Sequence, residues 1–451
     1  MLNTPLEQPE FYQKNRQILM DMLPENSMVI VPSGVEKIRN RDVEFPFRAE
    51  SDFIYLTGFG EPDSVLVLLK KAKTVASHLF VRAKDPEQET WQGRRLGVEA
   101  APSTLQLDCA HEIDMLDDEI LGLLDNMESV YVSFSQSLDF LGTVHQWIYA
   151  LKEQGRKGIE APKQVCDLDV HLHEMRVIKS DTEIKRLRKA ATISVQGHLA
   201  AMKSVQSSVF EFQVQADLEA EFLRLGSPRV AFNSIVASGE NACILHYTEN
   251  RSEIKKGDLV LVDAGAEWQG YAGDITTTFP ASGFFSAEQA QLYSLVLAAQ
   301  QAAIDAIKPK ATYDIVHQAS IKVLTQGLLD LGLLQGDLNT VLKDEGYKRF
   351  FMHGTGHWLG MDVHDVGAYK QNQKWRTFKP GMVVTVEPGL YVSGEHQDVD
   401  KKWHNIGIRI EDDILVTSIG HEVLTTGLPR TVKEIETWMR QDKEQVTIEV
   451  S

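Results

Sequence analysis

The sequence has little of what marks secreted, membrane-spanning or disulfide-bonded proteins. Its 451 residues include three cysteines, Cys109, Cys166 and Cys243, which are widely spaced and form no C-x-x-C motif. Such sparse cysteines fit a reducing cytoplasm, and we expect them to be small buried hydrophobic side chains. No run of about 18 apolar residues occurs, so no segment is predicted to span a bilayer. The N-terminal residues also lack the basic and then apolar pattern of a secretory signal.

Basic residues are outnumbered by acidic ones, 46 to 64. The formal net charge is −18 and no long basic stretch occurs, which argues against nucleic acid and anionic membranes as partners. No glycine-rich phosphate loop follows the first apolar runs, because Gly34 and Gly58 are isolated. With 43% hydrophobic residues, a chain of this length can bury large cores, and we expect two or more domains.

The pattern of apolar runs divides the chain near residue 175. In residues 1–175, short runs such as 28–31 (MVIV) and 65–69 (VLVLL) alternate with helical stretches such as 11–22. This alternation predicts a smaller N-terminal α/β domain with a mixed sheet. Residues 176–451 combine long helices with strand-rich segments. They predict an α+β domain in which helices pack on one face of a strongly bent antiparallel sheet.

Helix signals are clearest in the second domain. Ser180 and Glu183 form a capping box at the start of a long helix. Apolar spacing predicts two further helices over about residues 210–225 and 287–306. A closing helix with frayed residues behind it is predicted after Thr431.

Four carboxylates and one histidine stand in or beside apolar runs, where an unpaired charge is unexpected. Residues 259–262 (LVLV) lead into the first acid, and residues 383–386 (VVTV) lead into the third. Burying isolated carboxylates is costly unless a counter-charge lies among them, so several acids delivered to one place indicate a metal site. The five candidate ligands are Asp263, Asp274, His357, Glu387 and Glu411.

The first two acids predict a local geometry. A hairpin that turns at Trp268 and Gln269, with Gly270 after it, would place Asp263 directly opposite Asp274. Like charges in that position repel, and a divalent cation between them would remove the conflict. Carboxylates with one imidazole suit Mn²⁺, Fe²⁺, Co²⁺ or Zn²⁺. Since four acids exceed the need of one ion, we expect two ions bridged by shared carboxylates.

The histidines narrow the class of metal site. His353 and His357 are four residues apart, as in the H-E-x-x-H motif of zinc proteases, but position 354 is glycine. The glycines at 354, 356 and 360 also argue against a helix there. His246 lies among apolar residues, where a lone histidine is more often a core residue than a catalytic one, and His78, His171 and His421 keep that interpretation.

Several segments resemble the pita-bread metallopeptidases, and within them the bacterial aminopeptidase P group. The likeness extends over nearly the whole chain and includes motifs of both predicted domains. The N-terminal segments are 45–48 (FPFR), 51–53 (SDF), 55–59 (YLTGF) and 91–97 (WQGRRLG). The C-terminal segments are 241–250 (NACILHYTEN), 262–266 (VDAGA), 270–276 (GYAGDIT), 353–360 (HGTGHWLG), 363–367 (VHDVG), 386–391 (VEPGLY) and 407–412 (GIRIED).

The resemblance implies a pita-bread catalytic domain with two divalent ions, most often Mn²⁺. Asp263 would bind one ion, Asp274 and Glu411 would bridge both, and His357 with Glu387 would complete the other. A water or hydroxide between the ions would attack the peptide.

The same resemblance implies roles around the metals. Glu387 would also carry a proton from that water to the leaving proline nitrogen. His364 would stabilise the charge that develops on the scissile carbonyl oxygen. His246 and His353 would line the subsite for proline and the next residue. Arg409 lies two residues from Glu411, so both side chains point to the same face of a strand, and Arg409 would form ion pairs with the ligand carboxylates.

The implied reaction removes the first residue of peptides with proline second, Xaa-Pro-Yaa. An Xaa-Pro bond is a tertiary amide without an N–H, so it needs a dedicated pocket for the ring. A cytoplasmic homo-oligomer, a dimer or tetramer, is also implied, and Trp91 resembles a tryptophan that reaches a neighbouring subunit's site in tetrameric relatives. One departure is Thr277, where the family often has arginine.

Three alternatives remain at this stage. An Xaa-Pro dipeptidase would share all five ligands and could also hydrolyse some organophosphate esters. No single motif in this sequence distinguishes it from the aminopeptidase. A metal-free amidinohydrolase of the creatinase kind would lose the ligand acids. A non-catalytic binding module would have a degenerate site. The intact acids argue against the last two, and the N-terminal domain with the HWLG segment favours the aminopeptidase.

Overall fold

The computed structural model describes residues 8–72 and 74–441. The chain divides into two compact units, Met1–Met175 and Arg176–Ser451, called here the N-terminal and the C-terminal unit. Among the described residues, no helix combines the length and the hydrophobicity that crossing a membrane requires.

The N-terminal unit alternates helices with the strands of one main sheet. Its helices are α1 Pro9–Met22, α2 Ser51–Thr57, α3 Pro86–Gln92, α4 Gly97–Leu105, α5 Leu116–Leu124, α6 Leu138–Lys152 and α7 Asp169–Val177, which runs into the C-terminal unit. Its strands are β1 Ser27–Pro32, β2 Ile38–Asn40, β3 Val43–Glu44, β4 Val65–Lys71, β5 Thr74–Val81, β6 Cys109–Glu112, β7 Ser129–Val132 and β8 Gln164–Asp167. Short 3₁₀ turns cover Ile113–Met115 and Gly155–Lys157.

The main sheet of this unit is mixed. Its strand order is β6-β5-β4-β1-β7-β8, in which β4 pairs antiparallel with β1 and β5, and the other pairs are parallel. The central strand β1 is buried along its whole length, as its apolar run predicts. Apolar side chains of β1, β4 and β7 pack on α5 and α6 in one core. The predicted mixed sheet is therefore confirmed.

The C-terminal unit combines longer helices with short antiparallel strands. Its helices are α8 Asp181–Ser204, α9 Glu211–Arg224, α10 Ala287–Ala306, α11 Asp314–Asp330, α12 Leu338–Lys343 and α13 Val432–Arg440. Its strands are β9 Arg229–Val230, β10 Ile235–Ser238, β11 Leu259–Ala264, β12 Ala266–Trp268, β13 Tyr271–Ala272, β14 Ile275–Pro280, β15 Lys370–Gln371, β16 Lys374–Trp375, β17 Val383–Val386, β18 Gly389–Val392, β19 Ile406–Arg409, β20 Asp412–Val416 and β21 His421–Val423. Short 3₁₀ turns cover Val205–Ser207, Gly239–Cys243, Gly346–Arg349 and Lys401–Trp403.

The strands of this unit form small antiparallel sheets, and the largest core covers only part of them, since β17 and β20 pack in a second cluster. The orders are β10-β11-β14, β13-β12-β9, β17-β20-β21 and β18-β19, with β15-β16 as a separate hairpin. Apolar side chains of α8, α9, α10 and α11 pack with β11, β14, β18 and β19. The segment between β19 and β20 is held on β14 by a hydrogen bond from the Glu411 N–H to the Thr276 carbonyl oxygen.

Four helices of this unit lie where they were predicted. The capping box at Ser180 opens α8, α9 and α10 follow the apolar spacing, and α13 begins after Thr431. Neither α11 nor α12 was predicted. The frayed residues expected after α13 lie, from 442 onward, outside the described residues.

The expected register of the metal-site hairpin is wrong. Asp263 pairs with Thr276 in the β11–β14 ladder, and Trp268 pairs with Tyr271 in the β12–β13 ladder. The turn is therefore Gln269-Gly270, with φ of 49° and 82°. A two-residue hairpin turn favours positive φ at both positions, which places glycine second rather than after the turn. As a result Asp274 is diagonal to Asp263, two residues from its direct partner.

The expected burial of the cysteines is also wrong, because Cys109, Cys166 and Cys243 are all partly exposed. The first two lie on β6 and β8, the two edge strands of the mixed sheet. The third ends a 3₁₀ turn. Edge strands and turns leave part of each side chain open to solvent.

Candidate metal centre

One cavity of about 420 Å³ in the C-terminal unit brings the sequence-predicted site residues together. Its wall includes all five candidate ligands and all five residues given other roles. These residues are Asp263, Asp274, His357, Glu387, Glu411, His246, His353, His364 and Arg409, with Glu387 in both groups. Phe232, Asn233, Ile235, Leu245, Thr248, Gly354, Gly356 and Val363 complete the wall.

The ligand candidates come from separate elements that end at this cavity. Asp263 is the next to last residue of β11, and Asp274 directly precedes β14. Glu387 follows β17, and Glu411 lies between β19 and β20. His357 comes from a loop in which Gly356 has no room for a side chain, because a Cβ there would lie 2.0 Å from the Thr385 carbonyl oxygen. The backbone N–H of Thr385 donates to the His357 carbonyl, which fixes this loop on β17.

Asp274, His357 and Glu387 form the centre of the site. The Nε2 atom of His357 lies 3.3 Å from Asp274 Oδ2 and 3.7 Å from Glu387 Oε1. The other ring nitrogen of His357 is 3.0 Å from its neighbour's carbonyl oxygen, Trp358 O. A backbone carbonyl at Nδ1 fixes that nitrogen as the donor and leaves Nε2 facing the carboxylates.

Arg409 connects two further acids. Its Nη2 donates to Asp263 Oδ2 over 2.6 Å, and its Nε donates to Thr276 Oγ1 over 3.2 Å. The Thr276 hydroxyl in turn donates to Glu411 Oε2 over 2.7 Å. Arg409 therefore contacts Asp263 directly and reaches Glu411 only through Thr276, and its support of the ligand carboxylates stays a prediction.

The crowding of buried acids changes their protonation. Burial raises the pKa of Asp274 to about 6 and that of Glu387 to about 7, although His357 opposes both rises. Burial and the neighbouring carboxylates raise the pKa of Glu411 well above its usual range. Burial lowers the pKa of His357, but its hydrogen bond to Asp274 and the nearby carboxylates outweigh this and raise it to about 9. A bound cation would return these acids to the ionised form.

The donor set fits a divalent ion. Ligand atoms of Asp274, His357 and Glu411 all lie within 4.8 Å of one another. Asp263 adds an unusual observation, because its Oδ1 is buried and has no hydrogen-bond partner among the described residues. A buried carboxylate oxygen without a partner is costly, and coordination of a cation would satisfy it. Carboxylate oxygens with one imidazole suit hard or borderline ions.

The remaining histidines line the opening around this centre. His353 is bonded through Nε2 to the Tyr391 hydroxyl at 2.8 Å, and its Nδ1 lies 3.7 Å from Glu387 Oε2. Burial and the charge of Arg409 lower the pKa of His353 to about 3, so it is neutral at pH 7. The ring of His364 meets that of His357 edge to face at 4.4 Å. Burial and the charge of His357 lower the pKa of His364 as well.

Two contributors were not found in the sequence. The Tyr391 hydroxyl receives a hydrogen bond from Arg409 Nη1 over 3.0 Å and also meets His353, so it couples the arginine to the histidine wall. Asp413 accepts from the backbone N–H of Asp274 over 3.2 Å and fixes that ligand's main chain. The only sequence signal for either was its position two residues beyond a glycine or a ligand acid within an apolar run.

Thr277, where the resembling family often has arginine, binds a buried histidine. Its Oγ1 lies 2.8 Å from His198 Nδ1, and the Ala264 carbonyl oxygen lies 3.0 Å from His198 Nε2. His198 is 0% exposed. A neutral ring that donates through Nε2 and accepts through Nδ1 satisfies both contacts. His198 therefore joins α8 to both strands that carry Asp263 and Asp274.

We expect this histidine to make stability fall in mild acid. Burial lowers the folded-state pKa of His198 from 6.5 to about 4. The unfolded chain therefore binds the proton first, and the free energy of unfolding decreases as the pH falls from 6.5 towards 4, by at most about 3 kcal/mol. His198→Gln can keep a donor but does not titrate, so its unfolding free energy should fall less over the same range. Urea unfolding at several pH values measures this difference.

The exposed His145 supplies the matched control for that series. His145→Gln should follow the parent protein at every pH. A His198→Gln variant with the same pH slope as the parent would contradict the assignment of the acid sensitivity to His198.

Comparison with known proteins covers both units. The model of metallopeptidase family M24 matches residues 185–418, and that of the aminopeptidase P N-terminal domain matches residues 12–131. The Xaa-Pro aminopeptidase of Haemophilus influenzae is 42% identical over 434 residues, which cover 96% of this chain and 98% of that protein. The solved structure of Pseudomonas aeruginosa aminopeptidase PepP aligns with a TM-score of 0.95 at 45% identity, over 97% of this chain and 99% of that one. Aminopeptidase P from E. coli with the inhibitor Pro-Leu aligns with a TM-score of 0.93 at 40% identity, over 96% and 98% of the two chains.

Proposed function

The chain belongs to metallopeptidase family M24, and on that basis we propose that it is a metal-dependent aminopeptidase that removes the first residue from peptides with proline in the second position. The matches to both halves of the chain confirm the resemblance and the two-domain pita-bread fold inferred from the motifs. One observation carries the proposal. All five candidate ligands line one cavity, in a chain that aligns with a named Xaa-Pro aminopeptidase over 96% of its length.

We assign the metal-binding role to the acids and the imidazole of this cavity. Asp263, Asp274, His357, Glu387 and Glu411 would hold two divalent ions. When bound, such ions lower the pKa of water to near neutrality and polarise the scissile carbonyl. Asp274, Glu411 and His357 offer ligand atoms within 4.8 Å of one another and would together hold an ion.

Glu387 is suited to move the proton of the reaction. A carboxylate on the cavity wall beside the attacking water can accept a proton from that water and pass it on. The proton then goes to the proline nitrogen as the C–N bond breaks, and the first residue leaves as a free amino acid with a carboxylate end. The tertiary amide needs this proton on nitrogen, because the proline nitrogen carries none before cleavage.

The histidines of the cavity wall are suited to contact the rest of the substrate. His353, held by Tyr391, and His246 stand on the cavity wall and would contact proline and the residue after it. The acids of the same cavity would attract the cationic amine of the first residue, which explains removal of one residue at a time.

The finer points follow from the same chemistry. We propose Mn²⁺ as the ion, because the site offers mostly carboxylate oxygens, which Mn²⁺ prefers as ligands, and no thiolate.

We also propose a cytoplasmic homotetramer. Free, partly exposed cysteines fit a reducing compartment, and Trp91, 84% exposed in the N-terminal unit, is the kind of side chain that a subunit contact covers.

The test separates aminopeptidase from dipeptidase activity. The purified protein is stripped of metal with a chelator, refilled with Mn²⁺ and given an Xaa-Pro-Yaa tripeptide and an Xaa-Pro dipeptide. Faster cleavage of the tripeptide, with release of the free first residue, is expected. Cleavage of the dipeptide alone would make the protein a dipeptidase, and cleavage of neither with metal bound would overturn the proposal.

We expect His364→Ala to lower kcat about 10²–10³-fold while the metal content stays unchanged. Loss of one donor to the developing oxyanion has an effect of this size. His364 is not among the grouped ligand atoms, so ion binding should persist. Steady-state kinetics on the tripeptide, with elemental analysis of the same sample, measures both.

The control for this variant is His145→Ala, which changes an exposed histidine of the N-terminal unit and should leave both kinetic constants unchanged. A rise in KM at constant kcat for His364→Ala would assign this side chain to substrate binding instead.

A further inference from the structure

A second group of possible metal ligands lies in the N-terminal unit, outside the cavity described above. His78 of β5 pairs with Cys109 of β6, and Phe80 pairs with His111, in a parallel ladder. Alternate residues of a strand share a face, so Cys109 and His111 point to the same side of the sheet. The pairing brings His78 to that side as well. No sequence motif indicates this group, because 31 residues separate His78 from Cys109.

The donor atoms of these three residues converge closely. His78 Nδ1 lies 3.0 Å from Cys109 Sγ and 3.1 Å from His111 Nε2. All three ligand atoms lie within 4.8 Å of one another. The two imidazole rings are stacked, with centroids 5.3 Å apart and planes 13° from parallel. All three side chains are partly exposed, so an ion could reach them from solvent.

A carboxylate sets the tautomer of one histidine. His111 Nδ1 lies 2.5 Å from Glu119 Oε2 of α5. A proton on Nδ1 satisfies that contact and leaves the lone pair of a neutral His111 on Nε2, the atom that faces His78. A carboxylate on the outer nitrogen of a histidine is the usual support of a zinc ligand.

Hydrogen bonds alone serve this arrangement poorly. His78 Nδ1 carries at most one proton, yet it faces both Cys109 Sγ and the His111 Nε2 lone pair at about the same distance. If the His78 N–H serves His111, the Cys109 thiol is left with the Ser77 carbonyl oxygen at 4.0 Å, and if the thiol donates to His78, two ring nitrogens meet with lone pairs in contact. A cation at the point where sulfur and two nitrogens converge removes that conflict.

We propose that His78, Cys109 and His111 bind Zn²⁺ or a similar thiophilic divalent ion, with Glu119 positioning His111. One thiolate and two imidazoles are a common zinc ligand set, and three protein ligands leave a fourth position for water. The sulfur ligand separates this site from the catalytic cavity, which is lined by carboxylates and imidazoles and includes no cysteine. Because β6 is an edge strand, an ion here would fasten it to β5.

The ionisation state of the empty ligands gives a further expectation. A thiol binds a metal ion as the thiolate, so Cys109 must lose a proton on binding. Binding should therefore release a proton and strengthen as the pH rises.

The test uses Co²⁺ in place of Zn²⁺, because a thiolate–cobalt bond gives a charge-transfer absorption that carboxylate and imidazole ligands do not. The whole metal-free protein is titrated with Co²⁺ beside two variants, Cys109→Ser and the matched control Cys166→Ser, another edge-strand cysteine. The band is expected in the parent and in Cys166→Ser and is expected to be lost in Cys109→Ser. Peptidase activity with Mn²⁺ should be the same in all three.

A band that is absent from the parent, or that persists in Cys109→Ser, overturns the proposal. A second measurement needs no variant and guards against misfolding. Alkylation of the parent protein, mapped by peptide mass spectrometry, should be slowed by Zn²⁺ at Cys109 and not at Cys166. Equal alkylation of Cys109 with and without Zn²⁺ would also overturn the site. Neither readout depends on the proposed peptidase activity.

Discussion

Asp274→Asn is expected to leave the purified protein without bound metal and to lower turnover of an Xaa-Pro tripeptide on the order of 10³-fold or more. Asp274 is only 4% exposed, and its Oδ2 faces His357 Nε2 at 3.3 Å. An amide of the same shape carries no charge and cannot bridge two cations, so both ions lose a shared ligand. Elemental analysis after dialysis against Mn²⁺, followed by steady-state kinetics, measures the two losses together.

The fold should survive this change. The main chain of residue 274 is held by its N–H bond to Asp413, which the substitution leaves in place, and an asparagine oxygen can still accept from His357. Circular dichroism of the metal-free variant should therefore match the parent. Asp305→Asn, the same chemical change on the exposed surface of α10, is the matched control and should keep metal and activity. Two ions still bound to Asp274→Asn would refute the bridging role.

The candidate ligands could be selected from the sequence because they interrupt apolar runs. Asp263 lies at the end of a buried strand and Glu387 follows one, and a charge at such a point needs a partner whatever the tertiary structure. The helix Ala287–Ala306 was predictable for a similar reason, since its capping serine and its apolar spacing are both local. Features of this kind depend only on residues within one short segment of the sequence.

What the sequence did not predict depends on pairing between distant segments. The strand pairing around Asp263 and Asp274 depends on which two residues form the turn. The sequence does not show that Gln269 adopts a positive φ, as it does in the structure. Tyr391 joined the site because β18 pairs with β19 and so brings its hydroxyl to Arg409. The ligand group of His78 and Cys109 required the adjacency of β5 and β6. Such neighbours are set by the packing of the whole unit, and apolar spacing carries no information about them.

The second large effect concerns the positive charge behind the site. Arg409 is 3% exposed and donates to Asp263, Tyr391 and Thr276. Burial would lower its pKa, but Tyr391, Asp263 and Glu387 outweigh that and raise it well above the usual value, so the guanidinium is charged at every accessible pH. In the metal-free protein this arginine is the direct counter-charge of the Asp263 carboxylate.

We expect Arg409→Leu to lower the free energy of unfolding of the metal-free protein by about 3–5 kcal/mol, because it leaves Asp263 buried without a counter-charge. Bound Mn²⁺ would supply positive charge to the same carboxylate, so the deficit should shrink when metal is present, while activity falls about 10–100-fold from the loosened ligands. Arg188→Leu, which breaks an exposed ion pair with Glu422, is the matched control and should cost less than about 1 kcal/mol.

Adding Asp263→Asn to Arg409→Leu removes the uncompensated charge and should restore part of the lost stability in the metal-free state. If that double variant were no more stable than Arg409→Leu, or if Arg409→Leu cost no more than Arg188→Leu, charge compensation would not be what Arg409 contributes. Its value would then lie in the packing of its side chain between β11 and β18.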